Sequence, residues 1–214
     1  MSLFICGTDT DAGKTMLCAL LMRRYRQRAM RYWKPIQTGD DDDCETVRRL
    51  TELPPNRFVP VLNRYAAPLS PHRAAELEST EVDTRRLIKR FNMEREKSPL
   101  IVEGAGGLLV PITRRYTWLD FLNESGLPVV IAARSGLGTI NHSLLTVRAL
   151  QSAQVPVLGL AFCGVYNEDN VHTISDLSGL PVIACFDPNE TDFKNRLRDD
   201  EHTIDAHNLL ESYL

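Results

Sequence analysis

Nowhere does this chain stay apolar for the roughly 18 residues that a membrane-spanning helix needs, so no transmembrane helix is expected. It has no basic tract either. Lys and Arg number 25 against 28 Asp and Glu, a net charge of −3, which removes the electrostatic footprint of a nucleic-acid binder. Membranes and nucleic acids are therefore not expected as partners. The N-terminus enters an apolar strand directly and carries no signal-peptide pattern. The five cysteines (Cys6, Cys18, Cys44, Cys163, Cys185) are odd in number, and no two have metal-ligand spacing. Cys6, Cys163 and Cys185 lie in or beside apolar runs and are expected to pack as small hydrophobes. A reducing, cytoplasmic compartment follows. The histidines (His72, His142, His172, His202, His207) are scattered, with no pair at helix-face metal spacing. There is no internal repeat and no long linker. What remains is one α/β domain over residues 1–214, with the 43% hydrophobic and 25% charged composition of a globular chain.

The most informative segment is Gly7-Thr8-Asp9-Thr10-Asp11-Ala12-Gly13-Lys14-Thr15, between the apolar run Leu3–Cys6 and a helical pattern. Strand, glycine loop, lysine, hydroxyl and helix in that order make a phosphate-binding P-loop. The common spacing puts a glycine five residues before Gly13; here Thr8 holds that place and the glycine is Gly7. The essentials are intact. A helix N-terminus favours an anion, Lys14 reaches β- and γ-phosphates, and the Thr15 hydroxyl suits Mg²⁺.

Apolar runs at Leu3–Cys6, Leu100–Val102, Val129–Ala133, Val157–Phe162 and Val182–Phe186 do not alternate with polar residues, as buried parallel strands do not. Another strand is expected at Arg31–Lys34. Leu17, Leu20, Leu21 and Tyr25 mark one helical face, and Ile140, Leu144, Val147 and Leu150 another. Strands alternating with helices predict a P-loop NTPase-like, doubly wound, mainly parallel sheet with helices on both faces and ligands at the strand C-termini. Glu103-Gly104-Ala105-Gly106-Gly107 and Ser135-Gly136-Leu137-Gly138 are expected as glycine loops on that edge. Asp40–Asp43 reads as a solvated loop ending in a helix N-cap. Residues 54–70 read as an irregular excursion. Residues 189–214 read as polar, partly helical, and packed on the body or on a second subunit.

Taken together, the P-loop, Tyr32-Trp33-Lys34-Pro35-Ile36-Gln37-Thr38-Gly39, Ser70-Pro71-His72, Val102-Glu103-Gly104-Ala105-Gly106-Gly107 and Gly138-Thr139-Ile140-Asn141-His142 closely resemble the dethiobiotin synthetase family. The resemblance runs from about residue 2 to about 162 and fades after Phe162. It implies ring closure of a urea. One amine of 7,8-diaminononanoate takes up CO₂, the carbamate attacks the γ-phosphate of ATP, and the second amine displaces phosphate. Lys34, Lys14 and Thr10 are the implied catalytic residues. Thr10, Lys34 and Thr38 would hold the carbamate and diamine. The nucleotide would lie on Asp11, Ala12, Gly13, Lys14, Thr15, Met16, Glu103, Gly104, Ala105 and Gly106. Mg²⁺ would be held by Thr15, Glu103 and an aspartate, Asp43 or else Asp42. Gly138, Thr139, Ile140 and Asn141 would take the substrate's carboxylate tail, supplied across a homodimer. His72 is not expected to be catalytic.

The two lysines supply cations where negative charge gathers, each worth roughly 4 kcal/mol at about 4 Å and an effective dielectric near 20. They are also expected to depress the substrate amine pKa values. One departure stands out. Where family members carry an adenine-reading Asn, this chain has Cys163, followed by Gly164. Loose base selectivity, or reading of the base by backbone near Pro188, is the expectation. Three rival readings stay open: a corrinoid amide-synthase-like ligase, a partitioning-type switch ATPase and a small-molecule kinase. The first lacks room for a glutaminase domain, and the second lacks the early P-loop lysine. The third leaves Lys34 and the Glu103 block unexplained.

Overall fold

A computed structural model describes residues 2–190 and 204–214. Leu3–Gly7 (β1) is buried throughout, with Phe4 and Cys6 facing one side of the sheet and Leu3 and Ile5 the other. It feeds the P-loop and then Lys14–Arg24 (α1), which is buried almost all round. Arg31–Trp33 (β2), Ile36–Thr38 (β3), Asp43–Thr51 (α2), Phe58–Val59 (β4), Asn63–Tyr65 (β5), Pro71–Leu77 (α3) and Thr84–Arg95 (α4) follow. Leu100–Gly107 (β6), Pro111–Thr113 (β7), Tyr116–Thr117 (β8), Trp118–Ser125 (α5), Val129–Arg134 (β9), Thr139–Ser152 (α6), Val157–Cys163 (β10), Glu168–Ser178 (α7) and Val182–Phe186 (β11) complete the order.

Seven strands form one parallel sheet in the order β11-β10-β9-β1-β6-β2-β4. The chain leaves β1 toward β2 and β4, returns to β6, and crosses β1 to build β9, β10 and β11. The strand order therefore switches around β1, and a doubly wound sheet opens its ligand crevice at such a point. One core packs α4, α5, α6 and α7 against Phe4, Trp33, Val102 and Val129. The other packs α1, Val47 of α2 and the chain end against Leu3, Ile5, Tyr32 and Ile101.

Three expectations need correction. Glu103 and the glycines after it do not form a loop: β6 continues through Gly107, so Glu103 is a strand residue with no solvent exposure. Residues 54–70 are not wholly irregular, because β4 pairs with β2 and β5 pairs with β3. Cys185 is exposed rather than packed, because β11 is the sheet edge. The middle of the expected C-terminal region, residues 191–203, lies outside the described residues. Its end packs on α1 of the same chain. Ile204, Leu210 and Leu214 are buried there, and Asp205 accepts from the Tyr25 hydroxyl at 2.5 Å and from the Leu210 amide at 2.8 Å. Arg28 pairs with Glu211 beside it.

Candidate active site

A cavity of about 930 Å³ opens at the C-terminal ends of the central strands. Its floor is the P-loop. Gly13 has φ 87° and starts α1, so the first helical amides face the cavity. A side chain there would be strained by that φ and obstructed as well. A Cβ at Gly13 would lie 2.5 Å from Cys163 Cβ and 2.6 Å from its Sγ. The displaced first glycine has an equally concrete reason. Lys14 arches back so that its Nζ donates to the Asp9 carbonyl at 3.1 Å, and a Cβ at Gly7 would meet that Nζ at 2.8 Å and the carbonyl at 2.6 Å. Glycine is needed where the lysine passes, at position 7.

Beyond the P-loop sits a buried charge cluster. Lys34, just past β2, places Nζ 2.8 Å from Glu103 Oε1 and 2.7 Å from Asp43 Oδ2, and donates to the Gly104 carbonyl at 3.2 Å. Tyr32 donates to Glu103 Oε2 at 2.8 Å. Thr15 Oγ1 lies 2.9 Å from Glu103 Oε1 and 3.0 Å from Asp43 Oδ1. Burial alone would discharge Lys34, but the Glu103 and Asp43 carboxylates outweigh it and hold the ammonium well above its ordinary range. Burial raises Asp43 in turn, and the Lys34 charge overrides it to leave the carboxyl below the usual range. Lys14 differs: burial and the neighbouring Lys34 charge together lower it.

Stability follows from these signs. Asp43 stabilises the fold above its unfolded pKa of about 3.9, and that contribution is lost only as pH falls through its depressed folded value. The Lys34 contribution is present below its unfolded pKa of about 10.4 and is lost as pH rises through the higher folded value. Urea denaturation between about pH 5 and 9 is expected to show no titration from Asp43 or Lys34. Asp43→Asn is expected to reduce the stability lost on acidification below about pH 4. An acid limb identical to wild type would contradict the assignment.

The oxygens of Thr15, Asp43 and Glu103 can also be tested against a divalent cation. Among the described residues no three His, Cys, Asp or Glu side chains converge as a metal site. The set is two carboxylates and a hydroxyl. Thr15 has one proton for two carboxylate acceptors, and Glu103 Oε1 also accepts from Lys34, so Asp43 Oδ1 is without a donor whenever Thr15 donates to Glu103. That fits a Mg²⁺ that takes few protein ligands and completes its shell with water and phosphate oxygens.

Thr10, Asp11, Gly13, Lys14, Thr15, Met16, Lys34, Thr38, Asp43, Glu103, Ala105, Gly106, Cys163 and Pro188 all line the cavity. Ala12 is buried behind the loop, and Gly104 contributes its carbonyl to Lys34. Asp42, the other aspartate considered, caps α2 by accepting from the Glu45 amide at 2.9 Å and pairs with Arg64 outside the cluster. His72 is engaged with Ser70 Oγ at 3.0 Å. Gly138, Ile140 and Asn141 lie apart, in a second groove of about 510 Å³ that Leu137 and Leu145 also line. Thr139 is buried and donates to the Arg134 carbonyl at 2.5 Å.

Three polar residues of the cavity region escaped the sequence reading. Tyr32 holds Glu103; two residues before Lys34 on a strand, it had to share that face. Gln37 lines the cavity and accepts from the Asp43 amide at 3.3 Å. Arg134, at the end of β9, reaches back to the P-loop, which no local pattern signals.

A family model described as an AAA domain matches residues 1–194. The ATP-dependent dethiobiotin synthetase BioD of Paramagnetospirillum magneticum is 43% identical over 187 residues, covering 86% of this chain and 87% of its own. Its counterpart in Novosphingobium aromaticivorans is 46% identical over 191 residues, with 86% and 89% covered. The biotin biosynthesis bifunctional protein BioCD of Bordetella avium is 46% identical over 184 residues. The match takes in 85% of this chain but only 38% of that protein, so nothing of its remaining length is carried over. Among solved structures, an ATP complex of a Cyanothece McdA variant superposes with a TM-score of 0.60 at 11% identity, covering 99% of this chain and 95% of that one. The septum site-determining protein MinD with Mg-ADP, from Pyrococcus horikoshii, gives 0.57 at 13%, covering 92% and 86%. At such identities these two likenesses concern the fold alone. No helix among the described residues is long and apolar enough to cross a membrane.

Proposed function

The chain belongs to the dethiobiotin synthetase family, and from that premise we infer that this cavity closes the urea ring of dethiobiotin, with a nucleoside triphosphate activating the carbon. The enzyme is a ligase of biotin biosynthesis. The fold is shared with partitioning and septum-placement ATPases, so the fold does not decide between ligase and switch; the relatives at 43% and 46% identity do. The observation that carries the residue-level reading is Lys34, a second cation inside the phosphate cavity, held 2.8 Å from Glu103 and 2.7 Å from Asp43.

The chemistry moves negative charge through one small volume. An amine of the diamine takes up CO₂ and loses a proton. The carbamate oxygen attacks the γ-phosphorus as the nucleoside diphosphate leaves. The second amine attacks the carbonyl and expels phosphate. Thr10, Thr38 and the Lys34 ammonium hold the carbamate and diamine by hydrogen bonds. Lys14 and the free amides at the start of α1 meet the phosphate oxygens, and they accelerate the reaction to the extent that they bind the transition state more tightly. Thr15, Asp43 and Glu103 would hold Mg²⁺, which when bound offsets phosphate charge. Lys34 stays protonated and orients Asp43 and Glu103. Because those carboxylates already match its charge, Lys14 is the better candidate for depressing a substrate amine. That revises the expectation that both lysines do so. The reading further makes the protein a cytoplasmic homodimer, with the Gly138–Asn141 helix start serving the partner's cavity. Leu137, fully exposed, and Leu145, 62% exposed, supply apolar surface beside that helix start.

Phosphate release tests the reading directly. It is expected to require the diamine and bicarbonate together, one phosphate per nucleotide consumed. Release that is unchanged without the diamine would point to a switch ATPase instead. Base selectivity is a separate prediction. A thiol at Cys163 donates and accepts only weakly where an amide does both well, so kcat/KM for ATP, CTP, GTP and UTP is expected to fall within about tenfold. A preference for ATP over CTP and GTP above about 100-fold would contradict it.

A further inference from the structure

We propose that Arg134 is a positioning residue that ties the substrate half of the P-loop to the start of α6. Its guanidinium Nη2 donates to the carbonyl of Thr10 at 2.9 Å and lies 3.6 Å from Asp9 Oδ2. Its own carbonyl is fixed from the other side by the Thr139 hydroxyl at 2.5 Å. The first half of the loop is otherwise weakly held. Thr10 and Asp11 are exposed, Asp11 sits at φ 55°, and the Thr10 amide donates to the side chain of Asp9 at 2.8 Å. Lys14 secures the Asp9 carbonyl and Arg134 the next one. Of the three cations that line the cavity among the described residues, Lys34 is locked between carboxylates and Lys14 lies buried in the loop. Arg134 spans from β9 across to the loop after β1 with its side chain 56% exposed. A planar fork suits that span, since one N–H can take the carbonyl while another faces Asp9. Thr10 is thereby held at a set height over the cavity, and the tie runs through one residue to Thr139.

This inference rests on the reading that Thr10 contacts the carbamate and diamine, and the test separates the two. In Arg134→Ala, kcat/KM for the diamine is expected to fall about 10- to 100-fold, as misplacement of a contact group does. Nucleotide affinity, measured as ADP binding by calorimetry, is expected to stay within about twofold, because the Gly13–Thr15 half of the loop is untouched. Arg134→Lys is expected to recover part of the loss, since an ammonium reaches a carbonyl but offers no fork. Hydrogen exchange of full-length Arg134→Ala is expected to speed up at Asp9–Asp11 and nowhere else in the sheet. Unchanged exchange there, diamine kinetics equal to wild type, or an equal loss of nucleotide affinity would each overturn the tie. Should wild type make no dethiobiotin at all, the functional reading falls, and the exchange result still decides the role of Arg134.

Discussion

Lys34→Met is expected to lower turnover by on the order of 10³-fold and stability at pH 7 by about 3–5 kcal/mol. The stability loss comes from what is left behind. Glu103 has no solvent exposure and Asp43 lies close by, so removing the ammonium strands two carboxylates around Thr15 without their cation. Breaking a buried pair from one side costs far more than the pair's net worth. In the variant Asp43 keeps the burial that raises its carboxyl and loses the Lys34 charge that lowers it. The penalty of its charge therefore shrinks as pH falls, and the gap between variant and wild type in urea denaturation is expected to narrow from about pH 8 to about pH 5. Adding Glu103→Gln should return part of the stability but none of the turnover. A single variant as stable as wild type, or a gap that widens on acidification, would show that Lys34 is not the counter-ion of this cluster.

Gly13→Ala is expected to abolish nucleotide binding while costing the fold less than Lys34→Met. The residue sits at φ 87°, where an L side chain is strained by about 1–2 kcal/mol. Its Cβ would also fall 2.5 Å from Cys163 Cβ, so the loop or the end of β10 must move. Either shift displaces the helix-start amides that we assign to the phosphates. Cys163→Gly in the same chain removes the two nearest obstructing atoms and leaves Phe186 Cζ at 3.3 Å and the φ strain. The double variant is therefore expected to regain stability and part of its ADP affinity. If the single variant binds ADP as wild type does, the geometry assigned to the loop is wrong. This contact also gives Cys163 a packing role against the loop, independent of any base it faces.

The parts legible in the sequence were those with a strong local cause. β1, β9, β10 and β11 showed as unalternated apolar runs because both faces of the sheet are covered. The P-loop showed because glycine, lysine and hydroxyl have fixed duties. β4 was hidden because it is two residues long, and β5 because Asn63-Arg64-Tyr65 carries no apolar pattern. Glu103 looked like a loop residue because glycines follow it, yet β6 pairs with β1 at Glu103 and again at Gly107. Asp42 and Asp43 differ by one step of helix register: Asp42 caps α2 facing outward, while Asp43, the next residue, faces Lys34. Arg134 was not legible at all. It sits 124 residues from the carbonyl it grips, and only the adjacency of β9 and β1 brings the two together.

The most direct test of the central claim is the mass of the product. The protein is incubated with the diamino acid, ¹³C-bicarbonate, Mg²⁺ and each of the four nucleoside triphosphates in turn, and the organic products are read by mass spectrometry alongside released phosphate. The expected result is dethiobiotin carrying one heavy carbon, formed in equal amount to phosphate. Phosphate released without that product, or no such product with any of the four nucleotides, would contradict it.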